Sequence, residues 1–375
     1  MRSFLKLVAL GLLATVVTLV GMVLLPHAPY IRWQAVKTEA FARLGWMYER
    51  VHYDATPLDV AFLGTSHTLN GVDAAVVAQG LAAAGYRNAE GRCPTATNLA
   101  IPAYGRNLHW LIAREALENR KIDLLVVEVF ENETRKAHPL FVQVATAQDV
   151  ITAPILVNVG YPMDVARLPF RQLMLAMKSI APQAYGLKSR FETNDYDGST
   201  VDNTRWVNVG GVALTPSRDI TMPPRELDAA AAANAANKDL NMLPERFERF
   251  EYAVPNHYVS EILDLAKAKG VRVVFLYLPG YGKPDQPYDA ALYDGRGEMI
   301  FPASDLIRDK SLWLDADHLN IEGAQRLSRR LPSMIGPQLQ TVGWQARPGA
   351  AVTSCSNGYP ERSKLLPFRK ADQNG

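Results

Sequence analysis

The sequence predicts an α/β protein built on a parallel sheet, and three observations support this. Apolar runs of strand length, Asp59–Leu63, Ile122–Phe130 and Val271–Leu278, alternate with segments of helical periodicity. The run Ile122–Phe130 is interrupted only by Asp123 and Glu128, as expected of a strand buried on both faces. The composition, 48% hydrophobic and 21% charged over 375 residues, is typical of a folded globular protein. Strands that alternate with helices favour a parallel sheet with helices on both faces.

The N-terminal segment predicts a membrane anchor. Residues 7–25 carry no charge and are long enough to cross a bilayer. Arg2 and Lys6 precede this run, so the positive-inside rule makes residues 1–6 a short cytoplasmic stub. A cleaved signal peptide is the alternative, although residues 24–29 form a poor cleavage site. Both interpretations place the rest of the chain outside the cytoplasm.

Four further segments follow the anchor. Apolar residues at helical spacing predict a juxtamembrane helix over 33–53, packed on the globular domain or lying on the membrane. A domain over 58–335 carries the alternating strands and helices. A largely helical and loop-rich insertion over 134–254 lacks this rhythm, and would be structural cover, a lid or an acceptor-substrate wall. The tail over 340–375 has no periodicity and is expected to be irregular.

Charge and cysteine content narrow the possible functions. The formal net charge of +2 and the lack of a basic-aromatic patch argue against nucleic-acid binding. Two cysteines without histidines at ligand spacing do not predict a metal site, and we expect neither a metal nor a cofactor. Cys93 and Cys355 could form a disulfide in an oxidising compartment or remain thiols.

Two short motifs, far apart in the chain, predict a nucleophilic serine. Residues 64–67 read Gly-Thr-Ser-His directly after the first strand, and residues 315–318 read Asp-Ala-Asp-His directly before a helical pattern. A serine needs a base to take its proton, and that base needs an orienting partner. At the carboxyl edge of a parallel sheet, Ser66 would be the nucleophile, His318 the base and Asp315 the orienting residue.

Other interpretations of these residues stay open at this point. Gly-Thr-Ser after a strand is often only turn chemistry, and His318 alone could be a loop histidine. Asp317 is a rival orienting residue, but it would usually point away from its neighbour. His67 could line the site, although adjacency makes it a poor base for Ser66.

The motifs resemble those of the SGNH hydrolase superfamily, also called GDSL-like. In that family the nucleophilic serine follows the first strand, an oxyanion glycine and an oxyanion asparagine follow the next two, and Asp-x-x-His lies near the end. The order of these motifs along the chain matches that of the family over residues 58–132 and 255–335, with Gly-Thr-Ser in place of the family's Gly-Asp-Ser. The resemblance implies a three-layer α/β/α, flavodoxin-like core. The Gly-Thr-Ser form of the serine motif looks like that of the membrane-anchored branch of the family. This branch is associated with bacterial polysaccharide O-acetylation and includes alginate acetylation proteins.

The resemblance also implies oxyanion residues. Gly105 occupies the glycine position, where its backbone N–H could approach a developing oxyanion, or it is only a turn glycine before a helix. Asn132 falls at the asparagine position, although Phe130 replaces the family's glycine there. Asn98 is expected to fix its own loop.

Four aromatic side chains are weaker candidates for contact with an acceptor. His138 and His257 could bind an acceptor, but such histidines are more often surface or packing residues. Tyr277 and Tyr281 could stack on a sugar ring, but they more often cover the end of a strand.

The residues and the resemblance together predict serine-dependent acyl transfer or ester hydrolysis outside the cytoplasm. The acyl group on Ser66 would pass to a sugar hydroxyl or to water, with the oxyanion held at Ser66, Gly105 and Asn132. We expect O-acetylation of an exported or cell-surface polysaccharide by a domain that faces the periplasm from the bacterial inner membrane. A membrane acyltransferase would be its donor partner. A GDSL-like esterase or lipase, and a non-catalytic polysaccharide-binding or assembly protein, are the alternatives.

Overall fold

The computed structural model describes residues 1–36, 41–129, 137–156, 158–199, 201, 208–209, 212–213, 220–236, 243–284, 286–287, 292–302 and 304–347. Within these residues the α-helices are α1 (Arg2–Val23), α2 (Pro29–Gln34), α3 (Arg43–His52), α4 (Ser66–Gly71), α5 (Ala74–Ala83), α6 (Arg106–Asn119), α7 (Phe141–Val144), α8 (Ala147–Ile151), α9 (Tyr161–Ile180), α10 (Pro224–Ala236), α11 (Ala253–Ala268), α12 (Ser304–Arg308) and α13 (Ile321–Gln340). The strands are β1 (Val60–Leu63), β2 (Tyr86–Arg87), β3 (Ala96–Asn98), β4 (Leu124–Val129), β5 (Asn208–Val209), β6 (Val212–Ala213), β7 (Arg272–Tyr277), β8 (Glu298–Ile300) and β9 (Gln345–Ala346).

A parallel five-stranded sheet forms the centre of the protein. Its strand order is β3-β1-β4-β7-β8, and every neighbouring pair is parallel. Counted within the sheet this order is 2-1-3-4-5, so the chain direction across the sheet reverses beside β1. Ligands of open α/β sheets bind outside the carboxyl ends of the strands at such a reversal. The segment that follows β1 therefore lies where a site is expected.

The central strands are apolar throughout because both faces of the sheet are covered. In β1, Ala61 and Leu63 belong to one hydrophobic cluster, whereas Val60 and Phe62 belong to the other. Helices α3, α6 and α11 contribute to the first cluster, and α5 and α13 contribute to the second. Side chains that alternate along a strand supply both clusters, which explains the continuous apolar runs in the sequence. The predicted parallel α/β architecture is confirmed.

Helix ends near the sheet follow the local sequence. Asp73 caps α5 by accepting hydrogen bonds from the N–H groups of Ala75 and Val76. Asn320 caps α13 by accepting from Gly323 N–H at 2.9 Å. Capping side chains of this kind satisfy N–H groups that the first helical turn leaves unbonded. The sequence pattern predicts helices over 73–84 and 321–331, and α5 and α13 begin within one residue of these predicted starts.

The predicted single helix over 33–53 is wrong. The segment forms α2 and α3, which are separate, and residues 37–40 lie outside the described ones. Arg50 is fully buried and donates to the backbone carbonyls of Thr56 and Pro57 at 2.8 and 2.6 Å. An arginine that looks like part of a solvated face is thus a core residue. The helix α3 packs on the domain.

The C-terminal helix is longer than its sequence suggests. The helical pattern in the sequence predicts an end at Leu331, but α13 continues to Gln340 through Pro332 and Pro337. A proline inside a helix removes one hydrogen bond, and here a buried apolar face offsets that loss. Part of the tail that was expected to be irregular from 340 is regular, because residues 345–346 form β9, which pairs antiparallel with β2.

Cys93 is disulfide-bonded. Residues 348–375, which include the other cysteine, Cys355, lie outside the described residues. The bond agrees with one of the two states that the sequence left open for Cys93.

The N-terminal helix α1 begins at Arg2, five residues before the predicted span. It is 22 residues long, reaches a mean hydropathy of 2.2 and buries none of its residues in the protein. It is therefore long and apolar enough to cross a membrane. Since α1 starts at Arg2, most of the predicted stub belongs to the helix itself.

The insertion over 134–254 carries α7, α8, α9 and α10. Its expected helical part is present in α8 and α9, and the alanine-rich run lies in α10. Strand β8 and helix α12 were not predicted. Both are short, and their sequences lack the length of apolar pattern that identifies an element.

Candidate active site

Ser66 is the first residue of α4 and lies directly beyond the carboxyl end of β1. Thr65 is the N-cap of this helix and accepts a hydrogen bond from His67 N–H at 3.2 Å. At Gly64, a Cβ atom would lie 2.3 Å from Glu128 Oε2 and 2.4 Å from Thr68 Oγ1. Only glycine therefore allows the chain to turn this closely over β4 before it presents the serine.

Ser66, His318 and Asp315 form one hydrogen-bonded array. His318 Nε2 lies 2.8 Å from Ser66 Oγ, and His318 Nδ1 lies 2.9 and 3.0 Å from the two carboxylate oxygens of Asp315. Because the carboxylate can only accept, Nδ1 carries a proton and donates it, which leaves Nε2 to accept from the serine hydroxyl. The structure thus brings together the three residues that the two motifs supplied.

Asp315 is held by backbone donors as well as by the histidine. Its Oδ1 accepts from the N–H groups of Asp317 and His318, both at 2.8 Å. Partial burial alone would raise the pKa of Asp315, but the hydrogen bond and electrostatic attraction of His318, with those two N–H groups, outweigh it. The net effect is a lowered pKa, so Asp315 stays charged and keeps His318 oriented. The rival, Asp317, accepts from Asn234 Nδ2 instead, at 3.2 Å.

The loop that carries Asp315 and His318 is supported by the segment after β7. Tyr281 N–H donates to the carbonyl of Ala316 at 2.7 Å, and a Cβ atom on Gly280 would lie 2.8 Å from the same oxygen. Within the loop, Leu314 N–H donates to the carbonyl of His318 at 2.9 Å. The serine end of the array therefore follows β1 and its other end is supported by the segment after β7, with β4 between these two strands in the sheet.

Glu128 lies beneath the serine turn, and sequence reasoning did not single it out. It is 1% exposed, and its carboxylate accepts from the N–H and hydroxyl of Thr65 at 2.7 Å each. It also accepts from the hydroxyl and N–H of Thr68, at 2.5 and 3.2 Å. One buried side chain thus binds both residues that flank Ser66 and His67. The available signal was an acidic residue inside an otherwise apolar buried strand.

A second buried side chain, His109 of α6, reaches the same turn. It contacts the backbone of Gly64, and burial, reinforced by the charge of Arg106, holds the pKa of His109 well below its usual range. His109 is therefore neutral at physiological pH and serves packing rather than proton transfer.

His67 borders the array without joining its proton path. Its Nδ1 lies 3.0 Å from the carbonyl oxygen of Leu278, to which it donates. Its ring meets that of His318 edge-on, with 5.6 Å between the centroids. His67 is thus tied to the end of β7, as expected of a residue that lines the site.

The loop after β3 is bonded to the serine turn. Asn98 Nδ2 donates to the carbonyls of Thr68 and Val72, at 3.0 and 2.9 Å, and its Oδ1 accepts from Ala100 N–H. Ile101 N–H donates to the carbonyl of Gly64 at 2.9 Å. The expectation that Asn98 fixes its loop is confirmed.

Gly105 begins α6 with a φ of +140°, a conformation that favours glycine. A Cβ atom there would lie 2.3 Å from the backbone nitrogen of His138. This close approach accounts for the glycine as a turn residue before a helix, and its oxyanion role stays a prediction. The other predicted oxyanion residue, Asn132, lies outside the described residues with Phe130.

The four weaker acceptor candidates have separate environments. His138 is buried, with Nε2 2.9 Å from the carbonyl of Pro102, and burial lowers its pKa to about 4 although that bond opposes the shift. His257 is exposed on α11. Tyr277 is buried at the end of β7 and donates to the carbonyl of Pro284, whereas Tyr281 donates to Asp228 and packs edge-on against Trp313. His138 and Tyr277 are thus packing residues.

A small, mainly apolar pocket adjoins the array. Two residues next to the array form part of its wall. His67 directly follows Ser66 in the chain, and Asp317 directly precedes His318. Its apolar lining includes Leu278, Pro279, Leu306, Ile307, Trp313 and Leu319. The pocket meets the array through His67 and Asp317, since none of the three array residues lines it, and its size suits a short apolar group.

Fold and site together define an α/β protein with a Ser-His-Asp array at the carboxyl edge of its parallel sheet. No family model matches the sequence, and no curated protein is significantly similar to it. The geometry of the site is therefore the basis for its chemistry.

Proposed function

We propose that this protein is a serine-dependent acyltransferase that works through an acyl-Ser66 intermediate. The observation that carries the proposal is the continuous hydrogen bonding from Ser66 through His318 to Asp315. In acyl transfer, His318 takes the hydroxyl proton as Ser66 attacks the acyl carbonyl, and returns it to the departing group. A second nucleophile, activated by the same histidine, then releases the acyl group.

The oxyanion of the tetrahedral intermediate would be held at the start of α4. The first N–H groups of a helix lack partners within the helix. His67 N–H is bonded to Thr65 and Thr68 N–H to Glu128. No acceptor for Ser66 N–H is found among the described residues, so this group would be free to bind the oxyanion. Gly105 N–H and Asn132 are proposed as further donors.

We also propose an SGNH-like, three-layer α/β/α core. The strand order 2-1-3-4-5 and the helices on both faces of the sheet support it. Further support comes from the serine directly after β1 and from Asp315 and His318 directly before the last helix.

The proposed reaction is O-acetylation of an exported or cell-surface polysaccharide, at the periplasmic side of the bacterial inner membrane. The apolar helix α1 supports an anchor, and the disulfide at Cys93 fits an oxidising compartment. A membrane acyltransferase that delivers acyl groups from the cytoplasm would be the donor partner. The small pocket lined by His67 and Asp317 supports a short acyl group.

Ester hydrolysis is the second candidate, and the accessibility of the base favours it. The His318 side chain is 23% exposed, so water can reach the group that would activate it. The acyl-enzyme is common to both reactions, and the choice between them depends on the acceptor.

The first test is covalent labelling of the full-length protein in detergent with a serine-directed fluorophosphonate. We expect wild type to label, and Ser66→Ala and His318→Ala to lose labelling, because attack on phosphorus needs the activated hydroxyl. Gel fluorescence measures the outcome.

A matched control is Ser333→Ala, which removes an exposed hydroxyl on α13 that donates to the carbonyl of Arg330. It should label like wild type. Unlabelled wild type with a native circular dichroism spectrum, or labelling that survives in Ser66→Ala, would reject an activated Ser66.

The pocket predicts a preference for short acyl chains. We expect kcat/KM for nitrophenyl esters to fall steeply from acetate to octanoate, since the pocket is small and closed by buried side chains. Leu306→Ala should reduce this preference by widening the pocket, at a cost of about 2–5 kcal/mol in stability. Steady-state kinetics over the ester series gives the measurement.

Leu111→Ala provides the comparison, because Leu111 is equally buried but packs on the opposite face of the sheet. It should lose stability without changing the order of substrates. A wild-type enzyme that prefers octanoate would show that the acyl group binds elsewhere.

A further inference from the structure

The helix α9 exposes an apolar face that the domain does not cover. Its buried residues, which include Leu168 and Leu175, contact the domain on one side. Phe170 is 62% exposed and Ile180 is 85% exposed on the other. The exposed apolar side chains recur at helical spacing: Met163, Phe170, Leu173, Met174, Met177 and Ile180. Soluble monomers rarely leave so continuous an apolar surface in water.

The residues that lead into α9 extend this surface. Ile155, Leu156 and Val159 are each about two-thirds exposed, at 67%, 73% and 68%. They lie in the connection between α8 and α9. Together with the exposed side chains of α9 they form what we call the α9 face.

The α9 face is continuous with the candidate membrane helix. The two helices α1 and α9 pack against each other. Gln172 Nε2 donates to the carbonyl of Val23, and Ala28 N–H donates to Ser179 Oγ, both at 3.0 Å. These bonds join α9 to the end of α1 and to the residues just after it. An apolar surface fixed to the end of a membrane span lies at the level of the bilayer.

Basic residues accompany the junction of α1 and α9. Arg171 is turned into the protein and donates to the carbonyl of Gln143 at 3.0 Å. Arg167, which is exposed, and Lys178, which is half-buried, are the basic side chains of α9 that flank its apolar face. Basic side chains beside an apolar helix face are characteristic of helices that lie in a membrane interface, where anionic phosphates receive them.

We infer that the α9 face is embedded in the outer leaflet of the membrane that α1 anchors, and that its occupant is lipid. The inference rests on the proposed membrane anchoring, and does not depend on the proposed chemistry. The domain would then be held against the bilayer at two places, which fixes its orientation. A single span followed by an uncovered α9 would leave the domain free to rotate about its anchor.

The test is quenching of tryptophan fluorescence by lipids that carry bromine on their acyl chains. Full-length protein is placed in phosphatidylcholine nanodiscs with and without brominated lipid. Tryptophan replaces Phe170 on the α9 face, Val16 within α1, or Phe247, an exposed phenylalanine outside α9. The quenching of wild type, which has six tryptophans, is subtracted.

We expect Phe170→Trp to be quenched to an extent similar to Val16→Trp and several-fold more than Phe247→Trp. Quenching of Val16→Trp together with equal quenching at positions 170 and 247 would overturn the inference and keep the anchor. The α9 face would then need a protein partner instead. Absence of quenching at both positions 16 and 170 would overturn the anchor as well.

Discussion

Replacing Ser66 or His318 with alanine is expected to lower kcat for an activated acetyl ester by about 10⁴-fold or more. Each change removes one end of the 2.8 Å bond between Ser66 Oγ and His318 Nε2. Because the two residues act as a unit, the double variant should be no slower than either single one. The amount of product formed by the full-length protein at fixed reaction times gives these rates.

Asp315→Asn extends this experiment. If the amide oxygen keeps the bonds from the N–H groups of Asp317 and His318, its NH₂ group faces His318 Nδ1 and favours the wrong tautomer, so kcat should fall by about 10³–10⁴-fold. Asp317→Asn is the matched control, since Asp317 accepts from Asn234 rather than from His318. Equal loss in the two variants, or strictly multiplicative losses at Ser66 and His318, would contradict a catalytic triad.

Glu128→Leu is expected to have the largest effect on stability, on the order of 3–5 kcal/mol. The change leaves the N–H and hydroxyl groups of Thr65 and Thr68 without their buried acceptor. The denaturation midpoint in urea gives this free energy of unfolding. Such a loss would identify Glu128 as the residue that holds the serine turn in place.

Glu128→Gln separates positioning from folding. It preserves the shape of the side chain, but its NH₂ group would face donors of the threonines, so the turn should shift. We expect kcat to fall by about 10–100-fold with little change in KM, because a small misplacement of the nucleophile affects the chemical step. Gly64→Ala should act similarly, since the added Cβ would meet Glu128 Oε2 at 2.3 Å.

The control for Glu128 is Glu118→Gln on the exposed side of α6. It should match wild type in both urea stability and kcat. A Glu128→Gln variant with native kcat would show that the hydrogen bonds beneath the turn contribute to folding alone.

Long, strongly patterned elements could be predicted from the sequence, and weakly patterned ones could not. The strands β1, β4 and β7 were expected within two residues, because burial on both faces leaves an unbroken apolar run. The break between α2 and α3 was missed, since Arg50 is polar in sequence yet buried against carbonyl groups. Similarly, α13 continues past the predicted end at Leu331, because packing of the helix outweighs the hydrogen bonds that its two prolines remove.

The same distinction applies to the candidate site, where some residues could be predicted from local sequence patterns and others could not. Ser66, His318 and Asp315 were identifiable because strand, turn and helix signals surround them. Glu128 was not, because its role depends on which donors the fold places above β4. The α9 face was also invisible, since a helical apolar pattern does not reveal which side the domain covers.

Local sequence patterns were enough to predict the parallel α/β class, the apolar N-terminal helix and the three residues of the Ser-His-Asp array. Each of these depends on local patterns: periodicity, uninterrupted hydrophobicity and short motifs at strand and helix ends. The folded structure was needed to show that Ser66 and His318, 252 residues apart, lie within hydrogen-bonding distance. It also decided that Asp315 rather than Asp317 orients the histidine. Distances between remote residues are set by strand order and packing, which no local pattern encodes.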